Sequence, residues 1–280
     1  MSQKTLIELA QEYAQEKGLD PSSVSMPEPN AKPKNVLDQS IEDALAILLK
    51  NVPQGESWLE VELPSRGKSY KDGTDRVQLT PFKYEQERKL RTASTNAGVS
   101  KVIKSLFGDC MRGIDYDSLT LADKNYILFM LRKISYGDKY EFEVDCPSCH
   151  QGNKLNVNIS DFIVKYADDD FVEPIKVTLP DSKIEVSFVS PRCSHEQLFE
   201  TTESAIDNIP KLILSVGPYK EQRVIRAFLQ KTTLRDFAFL RDKVFHNWYG
   251  LVTRFKFDCL ACQKLQDIEL PITAGFFTAS

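Results

Sequence analysis

One pattern is written twice in this 280-residue chain, 113 residues apart, and each copy ends in Cys-x-x-Cys. In ungapped register Thr120, Leu121, Asp123, Tyr136, Gly137, Phe142, Asp145, Cys146, Cys149 and Ile159 fall on Thr233, Leu234, Asp236, Tyr249, Gly250, Phe255, Asp258, Cys259, Cys262 and Ile272, which is 10 identities in 40 positions. The register is chosen on the cysteines, so the count alone is a weak argument. The shared order of helix start, Tyr-Gly stop, strand and cysteine turn carries more weight. A pattern repeated at a fixed offset constrains the fold because each copy must build the same supersecondary unit. One cysteine pair per copy points to two half-sites meeting at a single metal.

The composition is that of a globular protein, with 41% hydrophobic and 27% charged residues. No stretch reaches the roughly 18 to 20 consecutive apolar residues of a spanning helix, and Met1 to Lys17 is too polar and acidic for a signal peptide. A cytoplasmic setting is therefore expected, in which six cysteines are metal ligands or redox centres before they are disulfides. The net charge of −4 weakens a nucleic-acid reading, which relies on a basic footprint.

Leu6, Leu9, Ala10, Tyr13 and Ala14 recur at helical spacing, with Gly18 as a stop. Four prolines between Asp20 and Asn35 predict an extended linker. A second helix is expected from Ser40, burying Ile41, Ala44, Leu45, Leu48 and Leu49. These residues read as an arm, packed on its own domain or docking on a partner through Leu6, Leu9 and Tyr13. Beyond it Trp58–Pro64 and Arg76–Pro81 alternate as strands, followed by a polar helix from about Tyr84. Ile175–Pro180 and Lys183–Pro191 repeat the strand pair, and a helix is expected from His195.

Thr120 and Thr233 suit helix N-caps, with Asp123 and Asp236 at the third helical position; Gly137 and Gly250 suit the residue just past the helix end. Tyr126, Ile127, Met130, Leu131 and Ile134, and in the second copy Phe237, Phe239, Leu240, Val244 and Trp248, are core stripes. The expected fold is α+β and internally duplicated: an arm at 1–55, a first repeat at 56–168 and a second at 169–280, each mixing antiparallel hairpins with helices.

A Cys-x-x-Cys in a hairpin turn offers two thiolates on one side of a tight loop, half of the tetrahedron that zinc prefers. Cys146, Cys149, Cys259 and Cys262 are therefore expected to share one structural zinc ion per chain. Redox dithiols are a rival, although that chemistry wants a cysteine at a helix N-terminus and strands flank both pairs here. One metal per half is another, with His150 as an extra ligand, but the second copy has Gln263 at that place. Cys110 and Cys193 have no counterparts and read as buried apolar residues. His150, His195 and His246 form no zincin pattern, no nucleotide-binding or nucleophile-elbow motif is present, and Asp168–Asp170 reads as a solvated turn. A zinc held by four thiolates leaves no open position for a substrate, so a scaffold is expected and an enzyme is not.

Trp58-Leu-Glu-Val-Glu-Leu-Pro-Ser-Arg-Gly-Lys-Ser-Tyr70 with Arg76–Phe82, and at the other end Phe257–Cys262, Ile268–Ile272 and Gly275-Phe-Phe277, resemble the baseplate hub proteins and hub assembly factors of T-even-like contractile-tailed bacteriophages. The resemblance covers roughly residues 57 to 280. It implies a protein of the virion's tail baseplate, assembled in the host cytoplasm by contacts with other baseplate and hub proteins, as a resident subunit or as an assembly chaperone, without enzymatic activity. A nucleic-acid-binding zinc module and a thiol oxidoreductase are the readings from other classes.

Overall fold

A computed structural model describes residues 36–48, 57–92, 96–199, 201–246, 248–270 and 274–277. The chain divides into two compact units, Met1–Glu56 and Ser57–Ser280. In the first the described element is helix α1 (Val36–Leu48), which begins four residues before Ser40. Ile41, Leu45 and Ile47 are exposed on it, contrary to the expectation that its apolar stripe is buried. Leu6, Leu9 and Tyr13 lie outside the described residues.

The second unit is α+β. Its alternating opening segment pairs β1 (Leu59–Glu62) antiparallel with β2 (Arg76–Leu79), so that Val61 faces Val77 and both are buried. Helices α2 (Tyr84–Thr92) and α3 (Asn96–Cys110) follow, and β3 (Met111–Arg112) closes a three-stranded sheet against β2. Helix α4 (Leu121–Tyr136) leads into the hairpin β4 (Lys139–Asp145) and β5 (Gly152–Asn158). After the short β6 (Val164–Lys165), a second three-stranded sheet forms in the order β7 (Ile175–Thr178), β8 (Glu185–Phe188), β9 (Ile213–Val216). The segment after β8 is a 3-10 helix, Cys193–Phe199, in place of the expected α-helix, and α5 (Thr202–Asn208) comes after it. Helices α6 (Gln222–Lys231) and α7 (Leu234–Val244) precede β10 (Gly250–Leu251) and a last hairpin of β11 (Arg254–Asp258) with β12 (Leu265–Glu269).

Both threonine caps form. Thr120 accepts the N–H of Asp123 and Thr233 accepts that of Asp236, each satisfying one of the orphan donors at a helix start. Gly137 ends α4 at φ 86°, donating its N–H to Lys133. Gly250 plays a different part. Helix α7 stops at Val244, and Gly250 opens β10 at φ 121°, where a Cβ would lie 3.1 Å from that of Ala122. Its glycine is needed for close approach to α4.

Two hydrophobic cores fill the body. The first is built on Leu63, Leu79, Leu106, Phe107, Ile127, Phe129 and Leu131, the second on Phe188, Ile209, Leu212, Ile225 and Leu240. Leu128 and Phe129 are buried alongside the expected stripe, so α4 is enclosed on most of its circumference. The chain's end returns to the first core: Phe276 packs on Phe129 at 4.8 Å and on Tyr140 at 4.9 Å, and Tyr136 donates to the Phe277 carbonyl. Arg132, 5% exposed, lies over Tyr136 and Tyr140 and donates to the carbonyls of Gly137 and Lys139, closing the C-terminal end of α4. Strand β6 pairs with β10, and Thr120 bridges Arg192.

The capping aspartates reach beyond their helices. Asp123 accepts the backbone N–H of Ser65 (3.0 Å) and the hydroxyl of Tyr70 (2.6 Å). Asp236 accepts the N–H groups of Asp181 (2.7 Å) and Ser182 (3.0 Å). In both places the donor follows a Leu-Pro step whose leucine, Leu63 or Leu179, is buried. The two carboxyls are nevertheless pushed in opposite directions. Burial raises Asp123 above the ordinary range, against its hydrogen bonds from Tyr70, Ser65 and Thr120. Burial also opposes ionisation of Asp236, but the N–H groups of Asp181 and Ser182 and the Arg235 charge outweigh it and leave the group below the ordinary range. A lowered folded value contributes stability above the unfolded value of about 3.9 and loses it as pH falls through the folded one; a raised value behaves in the opposite sense, its contribution fading as pH rises. Carboxyl-detected NMR titration should place Asp123 above and Asp236 below that reference, and the stability lost in Asp236→Asn at neutral pH should vanish on acidification. Titration of both on the same side would contradict this. Asp123→Ala, which strands buried donors, should cost about 3 kcal/mol in denaturant unfolding.

Candidate metal centre

Each cysteine pair lies in the turn of a hairpin whose register matches that of the other. Asp145 faces Gly152 in β4–β5 and Asp258 faces Leu265 in β11–β12, positions that correspond at the 113-residue offset. The turns close with the same bonds. His150 donates its N–H to the Cys146 carbonyl and Gln263 to that of Cys259, both at 2.8 Å. Those two donors sit at φ 58° and 57°, in the left-handed region a tight knuckle requires. His150 is thus a turn residue, and it stands outside the cysteine cluster.

The two knuckles meet tip to tip. Cys146 Sγ is 3.8 Å from Cys262 Sγ, Cys149 Sγ is 3.7 Å from Cys259 Sγ, and all four sulfurs lie within 4.8 Å of one another. Tetrahedral coordination with Zn–S bonds of ~2.3 Å places sulfurs about 3.8 Å apart, whereas a disulfide would need about 2.05 Å. These short separations run between knuckles, an arrangement that suits a shared ion and differs from a dithiol acting within one Cys-x-x-Cys. Cys146 and Cys259 are buried and their partners half-buried. Phe257 packs against them, with Val144, Phe255 and Ile268 around it.

Protons are unevenly held in this cluster. The backbone N–H groups of Cys262 and Ala261, helped by Asn153 and Cys146, draw the Cys259 thiol down to about 6. Cys149 also receives a favourable backbone hydrogen bond, at Gln151, yet burial and the three neighbouring sulfurs push it up to about 12. Four sulfurs this close cannot all be anionic without a cation between them, and a divalent metal that takes thiolates fits this donor set.

Two buried amides cross-brace the knuckles, and sequence reasoning missed both. Asn153 donates to the Gln151 carbonyl of its own turn (2.8 Å) and accepts the Leu260 N–H of the other (3.0 Å). Gln266 donates to the Lys264 carbonyl of its own turn (3.1 Å) and accepts the Ser148 hydroxyl of the other (3.3 Å). The signal was available, because Asn153 and Gln266 are themselves one repeat offset apart.

The remaining candidates do not join a site. Cys110 and Cys193 are buried and stand outside the cysteine cluster, the latter pushed up to about 12 by burial. Asp168 and Asp169 receive Lys68 on their backbone carbonyls, and the Asp169 side chain faces Arg66 at 3.5 Å. Among the described residues no helix is long and apolar enough to cross a membrane.

Since Asn153 and Gln266 brace one junction, Asn153→Ala and Gln266→Ala should each cost about 1–3 kcal/mol in denaturant unfolding and should be coupled by at least ~0.5 kcal/mol in a double-mutant cycle. Strict additivity would show that the two braces act separately.

No curated protein and no solved structure matches the chain. The sequence model of the family described as T4 bacteriophage base plate protein matches residues 58–278, from the tryptophan ahead of β1 to the residue after Phe277, a span that includes both knuckles. The chain belongs to this family of phage baseplate proteins.

Proposed function

We propose that the protein is a structural or assembly component of the hub region of a contractile phage tail baseplate, a non-catalytic adaptor whose two halves, 56–168 and 169–280, derive from a duplication and are stapled by one zinc ion on Cys146, Cys149, Cys259 and Cys262. The observation that carries this reading is the convergence of four sulfurs from two distant hairpins at tetrahedral spacing. Matched hairpin registers, threonine caps and aspartate clamps support the duplication. With four protein ligands the ion would have no place for substrate or water, so it would act through rigidity. Structural zinc of this kind contributes on the order of 10 kcal/mol to folding. The arm, through Leu6, Leu9 and Tyr13, is a contact to a neighbouring baseplate protein.

Metal analysis of purified protein should find about one zinc per chain, abolished equally by Cys146→Ser and Cys259→Ser; loss confined to one variant would break the shared site. Purification with baseplate hub, wedge and tape-measure proteins should give a stable complex with at least one of them, and association with none would overturn the adaptor role. Mass spectrometry of intact virions then separates a resident subunit from a chaperone that leaves.

A further inference from the structure

Strand β6 leaves its ladder before the ladder ends. Gly250 pairs with Lys165 and Leu251 with Val164, and the Val252 N–H goes on to the Ile163 carbonyl at 2.9 Å. Past that bond the chain continues through Thr253 into β11, whereas the segment ahead of Ile163 turns off into the 3-10 helix Ile159–Asp161. The next places in the ladder, opposite Arg254 and Lys256, are vacant among the described residues, since β11 has β12 as its one neighbour.

Those places offer unpaired backbone groups. In an antiparallel pair every second residue turns its N–H and C=O away from the partner strand. The Leu270 N–H bonds to the Thr253 carbonyl and the Cys259 N–H to the Lys264 carbonyl, so in the register between them Phe255 and Phe257 face β12 while Arg254 and Lys256 face away, on the side to which Val252 reaches Ile163. Val252, Arg254 and Lys256 all line a cleft of about 310 Å³, with Ile163 beside them and Asn156 and Asn158 of β5 on the other wall. A lysine on an edge strand often serves to keep other strands away. This edge instead prolongs a lane that a strand already occupies, and Ile163 (70% exposed) and Val252 (42% exposed) stand open where that strand departs.

The lane selects its occupant. Only an extended backbone presents donors and acceptors at the strand repeat, and residues directly opposite one another share a face. Arg254 and Lys256 are exposed on the outer face; Phe255 is half-buried on the inner one, against Phe142 and Phe162. Acidic residues therefore suit the places opposite the two cations and an apolar residue suits the place between them. Arg254 already meets Asp267 of β12 at 3.2 Å, but in an exposed pair that leaves the basic stripe open to a second carboxylate. Asp161 on the cleft wall accepts the side-chain amide of Asn158 at 2.9 Å.

We propose that the vacant edge of β11 takes up an extended segment of another protein in which acidic and apolar residues alternate, and that this segment continues the lane of β6. Its backbone pairs with the N–H and C=O groups of Arg254 and Lys256, its carboxylates lie beside those two side chains, and its apolar residue lies beside Phe255. Binding here requires neither the metal nor a place in the baseplate.

The test is amide exchange and NMR titration of the full chain with the peptide acetyl-Thr-Glu-Val-Glu-Val-Glu-Thr-amide. The Arg254 and Lys256 amides should exchange freely without peptide and become protected, with saturable shifts, in its presence. N-methylation of the glutamates, whose N–H groups point at β11, should weaken binding about tenfold, whereas N-methylation of the valines should leave it nearly unchanged. Lys256→Pro deletes only an outward N–H, which an edge strand tolerates, and should also weaken binding about tenfold. Arg254→Glu combined with Lys256→Glu should reverse the preference in favour of acetyl-Thr-Lys-Val-Lys-Val-Lys-Thr-amide. The absence of saturable binding, or equal binding of the glutamate-methylated peptide, would overturn the proposal. Protection of the Arg254 and Lys256 amides in the free protein would overturn it as well, because the lane would then be filled by this chain or a second copy.

Discussion

Four sulfurs from two hairpin turns lie within 4.8 Å of one another, a donor set that suits a thiolate-binding divalent cation. As thiolates they repel, and as thiols they make only weak hydrogen bonds with one another. A cation in the centre would resolve the conflict, turning mutual repulsion into four metal–ligand bonds. The surroundings suit such an ion on both sides. Backbone N–H groups already favour the Cys259 thiolate, and Asn153 and Gln266 tie each turn to its counterpart, so the knuckles are positioned by hydrogen bonds that do not involve sulfur.

The rest of the body is organised to deliver those tips. Each hairpin follows a helix whose N-terminal aspartate grips the backbone just past a Leu-Pro step, which fixes that helix against its own three-stranded sheet. Segments far apart in sequence are also laced together away from the cysteines. Phe276 and Phe277 bury themselves in the first core, and Tyr249 hydrogen-bonds Ser69 at 2.7 Å. Arg192 reaches the carbonyls of Ser69 and Ser118 and pairs with the nearly buried Glu173. Burial raises the Glu173 carboxyl above its ordinary range, although the Arg192 charge opposes this. The body therefore has polar ties in addition to the cysteine junction.

Much of this was legible in the residues because it rests on local rules. Thr120 with Asp123 and Thr233 with Asp236 specify helix starts whatever surrounds them, and alternation in Trp58–Pro64 and Ile175–Pro180 specifies strands. The cysteines were legible because their offset equals that of the caps. What failed was context. Gly250 reads like Gly137 but answers to the nearness of Ala122, a contact no linear pattern reveals. The helix that begins at Val36 starts ahead of the Ser40 cap, and Ile41 and Leu45 of the expected stripe are exposed. Asn153 and Gln266 look like ordinary strand polars until the two hairpins are brought face to face. The vacant edge of β11 is defined only by where β6 leaves its ladder.

X-ray absorption at the zinc edge on the purified full-length protein tests the central claim most directly. A single shell of four sulfurs at ~2.3 Å, with no nitrogen or oxygen neighbour, is the predicted result. A shell containing nitrogen or oxygen, or only two sulfurs per zinc, would mean that the knuckles do not share one ion and would contradict the account.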